Sequence, residues 1–230
     1  MKHFTYLLLT LLPFQLLAQD KIVDYTVKNV RRFHFYYKSE KSEKFNTIQS
    51  VKEWLQSRKK KLVFATNGGM FTPEYTPVGL YIEDFKVIKD VNNVSGGGNF
   101  GLKPNGIFYI TSNNEAKIRK TEDFKNNGKV KYATQSGPML IIDNEIHPAF
   151  NKNSSNLNIR SGVGILPDGS AIFAISREPV SFYEFAMFFK EKGCRNALYL
   201  DGAISEMYCP DKDLNQTNGM FGVIIGVTEK

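Results

Sequence analysis

Short runs in which apolar and polar residues alternate dominate this chain, and turn residues punctuate them. Lys21–Val27 and Val30–Tyr37 alternate at the period of two expected of strands, and their proximity predicts that they pair antiparallel. Leu62–Thr66, Val78–Ile82 with Phe85–Ile88, Gly106–Thr111 with Glu115–Arg119, and Met139–Ile142 with Glu145–Ile146 continue the pattern. The last three are hairpins turning at Glu83-Asp84, Asn113-Asn114 and Asp143-Asn144. Lys129–Thr134, Ile159–Leu166 and Ser170–Ser176 follow, the last two joined by Pro167-Asp168-Gly169, with Gly219–Val227 as a final apolar strand.

Only two stretches carry helical periodicity. Phe45–Arg58 buries Ile48, Val51, Trp54 and Leu55 on one face, with Asn46 as its expected cap. Ser181-Phe-Tyr-Glu184 is a capping box that opens a helix running to Lys192. Its inner face is Phe182, Phe185, Ala186 and Phe189, and Gly193 stops it. The sum is an α+β fold: a mixed, mostly antiparallel sheet with a few packed helices, in a single domain. The 18 Phe and 11 Tyr reinforce the sheet-rich reading, because aromatic side chains fit a pleated, half-buried surface.

The first 18 residues read differently. Lys2 and His3 precede an apolar core over Tyr6–Leu12, Pro13 breaks it, and Leu16-Leu17-Ala18 ends on a small residue. Met1–Ala18 is therefore expected to be a signal peptide, leaving residues 19–230 as the domain and an exported, periplasmic or extracellular location. That core is too short to span a bilayer, and stable membrane insertion is not expected. The formal charge is +7, but the lysines are scattered and no nucleic-acid motif occurs, so nucleic acid is not an expected partner. Cys194 and Cys209 are either a disulfide pair or two thiols. No His, Cys and carboxylate spacing suggests a metal, and no cofactor fingerprint is present.

Candidate chemistry sits where strands end. Asn67-Gly68-Gly69, Gln135-Ser136-Gly137-Pro138 and Leu200-Asp201-Gly202 each close a strand, and Arg160-Ser161-Gly162 opens one. A shared cleft would hold a carboxylate, a guanidinium, two amides, hydroxyls and exposed N–H groups. Asparagine-rich Asn151–Asn158 reads as a polar loop able to act as a mobile flap, and glycine-rich Ser95–Gly106 as a loop that either packs closely on backbone or lets a ligand approach.

With these residues in hand, the chain resembles the phosphodiester glycosidases. The likeness rests on Asn67-Gly-Gly-Met-Phe71, Gln135-Ser-Gly-Pro-Met139, Arg160-Ser-Gly-Val-Gly164 and Leu200-Asp-Gly-Ala-Ile-Ser205, in order, over roughly residues 60–227. It implies a hydrolase acting on a glycosyl-1-phosphodiester, N-acetylglucosamine-like, with a carbohydrate or sugar phosphate as its partner. Where the family commonly has Asp-Gly-Gly-Gly-Ser, this chain has Ala203-Ile204. That change keeps open an alternative, a glycan-binding module that does not cleave. Cleavage of a sugar–phosphate bond passes through an oxocarbenium-like state that a carboxylate stabilises or attacks. The expected catalytic residues are Asp201 for that role, Arg160 to neutralise the phosphate, and Asn67. The expected substrate-binding residues are Gly68, Gly69, Gln135, Ser136, Gly137, Gly202, Ser205 and Glu206. His34 and His147 read as surface or packing residues.

Overall fold

A computed structural model describes residues 20–201 and 204–229. Met1–Ala18, read as a leader, and Gly202 lie outside the described residues. In chain order the elements are β1 (Ile22–Val27), β2 (Phe33–Tyr36), α1 (Ile48–Gln56), β3 (Lys61–Asn67), β4 (Tyr81–Glu83) and β5 (Lys86–Lys89). Next come α2 (Gly98–Gly101), β6 (Gly106–Thr111), β7 (Ala116–Lys120), β8 (Val130–Ser136), β9 (Met139–Ile142) and β10 (Glu145–Ile146). The remainder is β11 (Ser161–Ile165), β12 (Ala171–Ser176), α3 (Phe182–Glu191), β13 (Ala197–Asp201), β14 (Met207–Cys209), β15 (Leu214–Asn215) and β16 (Ile224–Glu229).

The strands build three sheets, ordered β1-β12-β11-β13-β9-β10, β15-β14-β3-β16-β2 and β5-β4-β8-β6-β7. Pairing between the named strands is antiparallel throughout. The fold is α+β, as expected, and the three hairpins turn where their Asp and Asn residues sit. Asp84, Asn114, Asp143 and Asn144 take positive φ there, a conformation these side chains tolerate.

Two local expectations are corrected. β1 and β2 do not pair: a 3₁₀ turn at Val30–Arg32 intervenes, β1 joins β12 and β2 joins β16. The cap of α1 is Thr47, whose Oγ1 accepts from Ser50 N at 3.0 Å, while Asn46 takes φ 55° one residue earlier. The capping box of α3 is present in both directions, Ser181 Oγ accepting from Glu184 N and Glu184 accepting from Ser181 N. Gly193, at φ 78°, ends that helix. Cys194 and Cys209 are buried free thiols in separate core clusters, which decides between the two readings of the cysteines.

The three sheets enclose one apolar core. Rings from each meet there: Phe173 of the first sheet lies 5.2 Å from Phe64 of the second and 5.7 Å from Phe108 of the third, with Phe33 5.6 Å away. α3 packs Phe185, Ala186 and Phe189 on the outer face of the first sheet, and α1 packs Ile48, Val51 and Leu55 on the outer face of the second. Deleting the Phe173 ring removes contacts to all three sheets at once. Phe173→Ala is expected to cost about 4 kcal/mol in urea-unfolding free energy. Phe85→Ala, at an exposed hairpin turn, should stay within about 0.5 kcal/mol.

Candidate active site

β13 ends at the place where strand ends from all three sheets converge. Its last two carbonyls are the focus. Ser136, at the end of β8, donates from Oγ to Leu200 O at 2.6 Å. Ser205 donates to Asp201 O at 2.5 Å, and the Ser161 hydroxyl lies 3.0 Å from the same carbonyl. Asn67, at the end of β3, donates from Nδ2 to Ser161 Oγ at 3.0 Å, and its Oδ1 lies 3.1 Å from that hydroxyl. Ser205 and Ser161 are themselves 3.0 Å apart. These buried polar groups satisfy one another, as burial requires. The result is that the backbone presenting Asp201 is clamped, while Asp201 itself remains partly exposed.

Gln135, the neighbour of Ser136 on β8, is an internal tie as well. Its Oε1 accepts from Leu80 N and Asn92 N, both at 2.9 Å, and its Nε2 donates to Asn92 O at 2.7 Å and Thr121 Oγ1 at 3.2 Å. All its usual donors and acceptors are used inside the protein. The glycines are likewise committed. Gly68 N donates to Val223 O at 2.7 Å and Gly69 N to Thr134 Oγ1 at 3.1 Å, so neither N–H is available to an anion. A Cβ on Gly69 would lie 2.3 Å from Gln135 O, and one on Gly137 would lie 2.5 Å from Asn105 Cβ. At both glycines the close approach of backbone and side chains leaves no room for a Cβ.

Arg160 is 1 % exposed. Its Nε donates to Val180 O at 2.8 Å and its Nη2 to Asn156 O at 2.9 Å, and its guanidinium lies 3.7 Å from the centre of the Phe182 ring. Phe182 in turn stacks on Phe150 at 4.9 Å, and Phe150 on His147 at 4.8 Å. Arg160, which immediately precedes β11, thus ties the Asn151–Asn158 loop and the start of α3 to the beginning of that strand. Burial pulls its pKa down, against the attraction of Tyr199.

Tyr199, two residues before Asp201, was hidden in the apolar run of β13 and carried no sequence signal beyond core packing. Its phenol interacts with Arg160 and Asn99 and feels the charge of Asp201; burial pushes its pKa up to about 12, with Arg160 opposing. Asn99 lies in α2, inside the glycine-rich Ser95–Gly106 loop. Register separates the two sides of β13. Tyr199 belongs with the cluster under α3, whereas Ser161 pairs with Ile175, which faces the central core. The Arg160–Tyr199 group and the Ser161–Ser205 group therefore flank the Asp201 backbone from opposite faces of the sheet.

Glu206 is half-buried and turns its Oε2 onto Gly219 N at 2.8 Å. Among the described residues no group of three His, Cys, Asp or Glu side chains is placed to hold a metal ion, and no helix is long and apolar enough to cross a membrane. The site residues thus divide in two. Asp201, Ser205 and Glu206 reach partly exposed positions, while Asn67, Gln135, Ser136 and Arg160 are internal supports.

His147 is a packing residue. Its Nε2 lies 3.0 Å from Lys103 O and its Nδ1 accepts from Ala149 N at 3.1 Å, an arrangement that needs the neutral ring. Burial lowers its pKa from 6.5. The unfolded chain then takes up this proton first, so the stabilising contribution is complete above pH 6.5 and is lost as pH falls below it. In acid unfolding, His147→Gln should remove this portion of the pH slope. Arg160→Met, which strands the buried Val180 carbonyl and frees the Asn156 loop, is expected to lower unfolding free energy by about 2 kcal/mol.

Comparison with known proteins bears on this geometry. The phosphodiester glycosidase profile matches residues 60–222. The uncharacterized protein YigE of Escherichia coli K12 is 34% identical over 236 residues, covering 98% of this chain and 92% of that protein. Among solved structures, the catalytic domain of zebrafish N-acetylglucosamine-1-phosphodiester α-N-acetylglucosaminidase, auto-inhibited by its pro-peptide, superposes with a TM-score of 0.63 at 15% identity. That likeness covers 91% of this chain and 82% of the zebrafish domain. A hypothetical protein from Synechocystis gives a TM-score of 0.55 at 13% identity, over 91% of this chain and 59% of its own. The structural likenesses speak to the fold, and the profile, which covers the strand ends gathered around β13, settles the kinship: the chain belongs to the phosphodiester glycosidase family.

Proposed function

We propose that the protein is an exported hydrolase that cleaves the sugar–phosphate bond of a glycosyl-1-phosphodiester, with Asp201 as the carboxylate that acts on the anomeric carbon. The observation that carries this reading is the clamp on Asp201. Its carbonyl is held by Ser205 and Ser161, and Ser161 is held by Asn67, so the residue sits at a partly exposed strand end whose backbone is tied to its neighbours. Preorganisation of this kind is what a charge-developing reaction needs.

In the reaction, the bond between the anomeric carbon and the phosphate oxygen breaks, and that oxygen keeps the electron pair. A water oxygen forms the new bond to carbon, and its released proton leaves with the phosphate monoester or the solvent. Asp201 stabilises the positive charge that develops on the ring, or attacks it. Arg160 and Tyr199 act as positioning residues on one flank, and Asn67 and Ser136 as supports from behind. The kinship with phosphodiester glycosidases supports an N-acetylglucosamine-like sugar, and the leader expected at residues 1–18, ahead of a domain expected over 19–230, supports export.

One observation favours a second reading, binding without cleavage. Ile204 is 43 % exposed beside the site, where its side chain reshapes the wall. Turnover separates the two. With an aryl diester of N-acetylglucosamine-1-phosphate, wild-type protein should release sugar, and Asp201→Asn should lower kcat on the order of 10³-fold. The thermal midpoint of the variant should stay within about 2 °C. Equal rates for the two proteins would remove Asp201 from the mechanism, and binding with no release would favour the second reading.

A further inference from the structure

His147 stands where the two loops beside the end of β13 meet. Its Nε2 donates at 3.0 Å to the carbonyl of Lys103, in the glycine-rich loop. Its Nδ1 accepts at 3.1 Å from Ala149 N, just ahead of the asparagine-rich loop. A carbonyl can only accept and an amide N–H can only donate, so both bonds form only with the neutral, Nε2-protonated ring. A second proton, on Nδ1, would point at the Ala149 N–H and leave a cation on a residue that is 2 % exposed.

Two lines of contact run from this ring to the strand end that carries Asp201. One is a stack: the His147 ring lies 4.8 Å from Phe150, and Phe150 lies 4.9 Å from Phe182. Phe182 meets the Arg160 guanidinium at 3.7 Å and the Tyr199 ring at 4.8 Å. Arg160 holds Asn156 O of the asparagine-rich loop and precedes Ser161, whose hydroxyl lies 3.0 Å from Asp201 O. The other line is backbone. Pro104 O, next to the carbonyl that His147 holds, accepts from Met139 N at 2.9 Å, and Pro138 O accepts from Tyr199 N at 3.1 Å.

The charged groups on the surrounding elements are engaged elsewhere. Lys103 turns its Nζ to Asn105 Oδ1 at 3.2 Å, Glu145 of β10 pairs with Lys190 at 2.9 Å, and Glu184 of α3 pairs with Lys21 at 3.2 Å. Lys152 is exposed, and Arg160 lies beyond two aromatic rings. Burial is therefore what chiefly disfavours the charged ring, with the Lys103 carbonyl opposing it.

We propose that His147 is a positioning residue: its neutral ring holds the glycine-rich and asparagine-rich loops against the end of β13, and protonation of the ring releases both. Only a proton moves. Nδ1 takes it from solvent, the Ala149 bond is lost, and the ring turns out with Phe150. The hydroxyl clamp on Asp201 belongs to the sheet ends and persists, so what opens is its surround. The place of His147 in the reaction rests on the hydrolase reading, whereas its hold on the loops does not.

Hydrogen exchange read by mass spectrometry, with rates corrected for the intrinsic effect of pH, tests the hold directly. In wild type, protection of residues 95–106 and 148–158 should fall about 3- to 30-fold between pH 7.5 and 5.0, the ceiling being the linkage limit for a ring of pKa 6.5 in the open loops. Protection of α1 should not change. His147→Gln keeps a donor and an acceptor but takes up no proton, and it should abolish the fall. With the aryl diester of N-acetylglucosamine-1-phosphate, kcat/KM of wild type should decline over the same pH range, and His147→Gln should flatten that decline. Wild-type loops equally protected at both pH values would overturn the assignment, without any variant having to fold, and leave the hydrolase reading intact. An equal fall in His147→Gln would overturn it as well, because another group would then be responsible. Loop release confined to wild type, with the kinetic decline retained in His147→Gln, would remove the positioning role. Loop release confined to wild type, with no cleavage by either protein, would uphold the hold on the loops and sink the hydrolase reading.

Discussion

Two backbone carbonyls at the end of one strand hold this molecule's architecture and its candidate chemistry together. Leu200 O and Asp201 O receive hydroxyls from the third sheet, from a neighbouring strand of the first and from the loop that follows, and Asn67 extends the network into the second sheet. Buried carbonyls left without donors would be expensive, so this network helps three strand ends to meet in a small volume. It also dictates the residue types. Small hydroxyls and amides are needed where sheets converge, and glycines are needed wherever a Cβ would keep them apart, as at Gly69.

Much of the fold was legible in the sequence because its determinants are local. Turn-forming Asp and Asn pairs announced the hairpins, and the reciprocal Ser181–Glu184 bonds announced the start of α3. What failed was long-range or degenerate. Neighbouring β1 and β2 carry no mark that sends them to different sheets, and Asn46 and Thr47 are both good caps, so only the backbone conformation chooses between them. The candidate site shows the same division. Its strand ends could be picked out, but not whether a polar residue there faces outward or inward. Gln135 and Asn67 look like ligand-reading amides until their partners, which come from distant parts of the chain, are known. Tyr199 was masked by its apolar neighbours.

Two arginines illustrate how environment, not residue type, assigns a role. Arg160 is sandwiched between carbonyls and an aromatic stack, so its charge is spent on joining a loop and a helix to the sheet. Arg177 occupies the face where the central core opens to a groove, with apolar side chains on one side and Ser205 on the other. With Asp201 they stand along one end of the first sheet, in the order Arg177, Arg160 and Asp201, on or beside β12, β11 and β13.

Distances along the chain add a kinetic consequence to the geometry. The groups that clamp β13 come from residues 67, 136, 161 and 205, each on a different strand or loop, and the three-sheet core beneath them is built from equally distant pairings. Contacts of such large sequence separation require many loops to be closed before they form, which slows folding and concentrates assembly into a late, cooperative step. No fragment of the chain brings these four groups together. The candidate site is therefore a property of the completed fold, absent from any intermediate that has formed only one sheet, and it would arise and disappear with global folding instead of fraying locally.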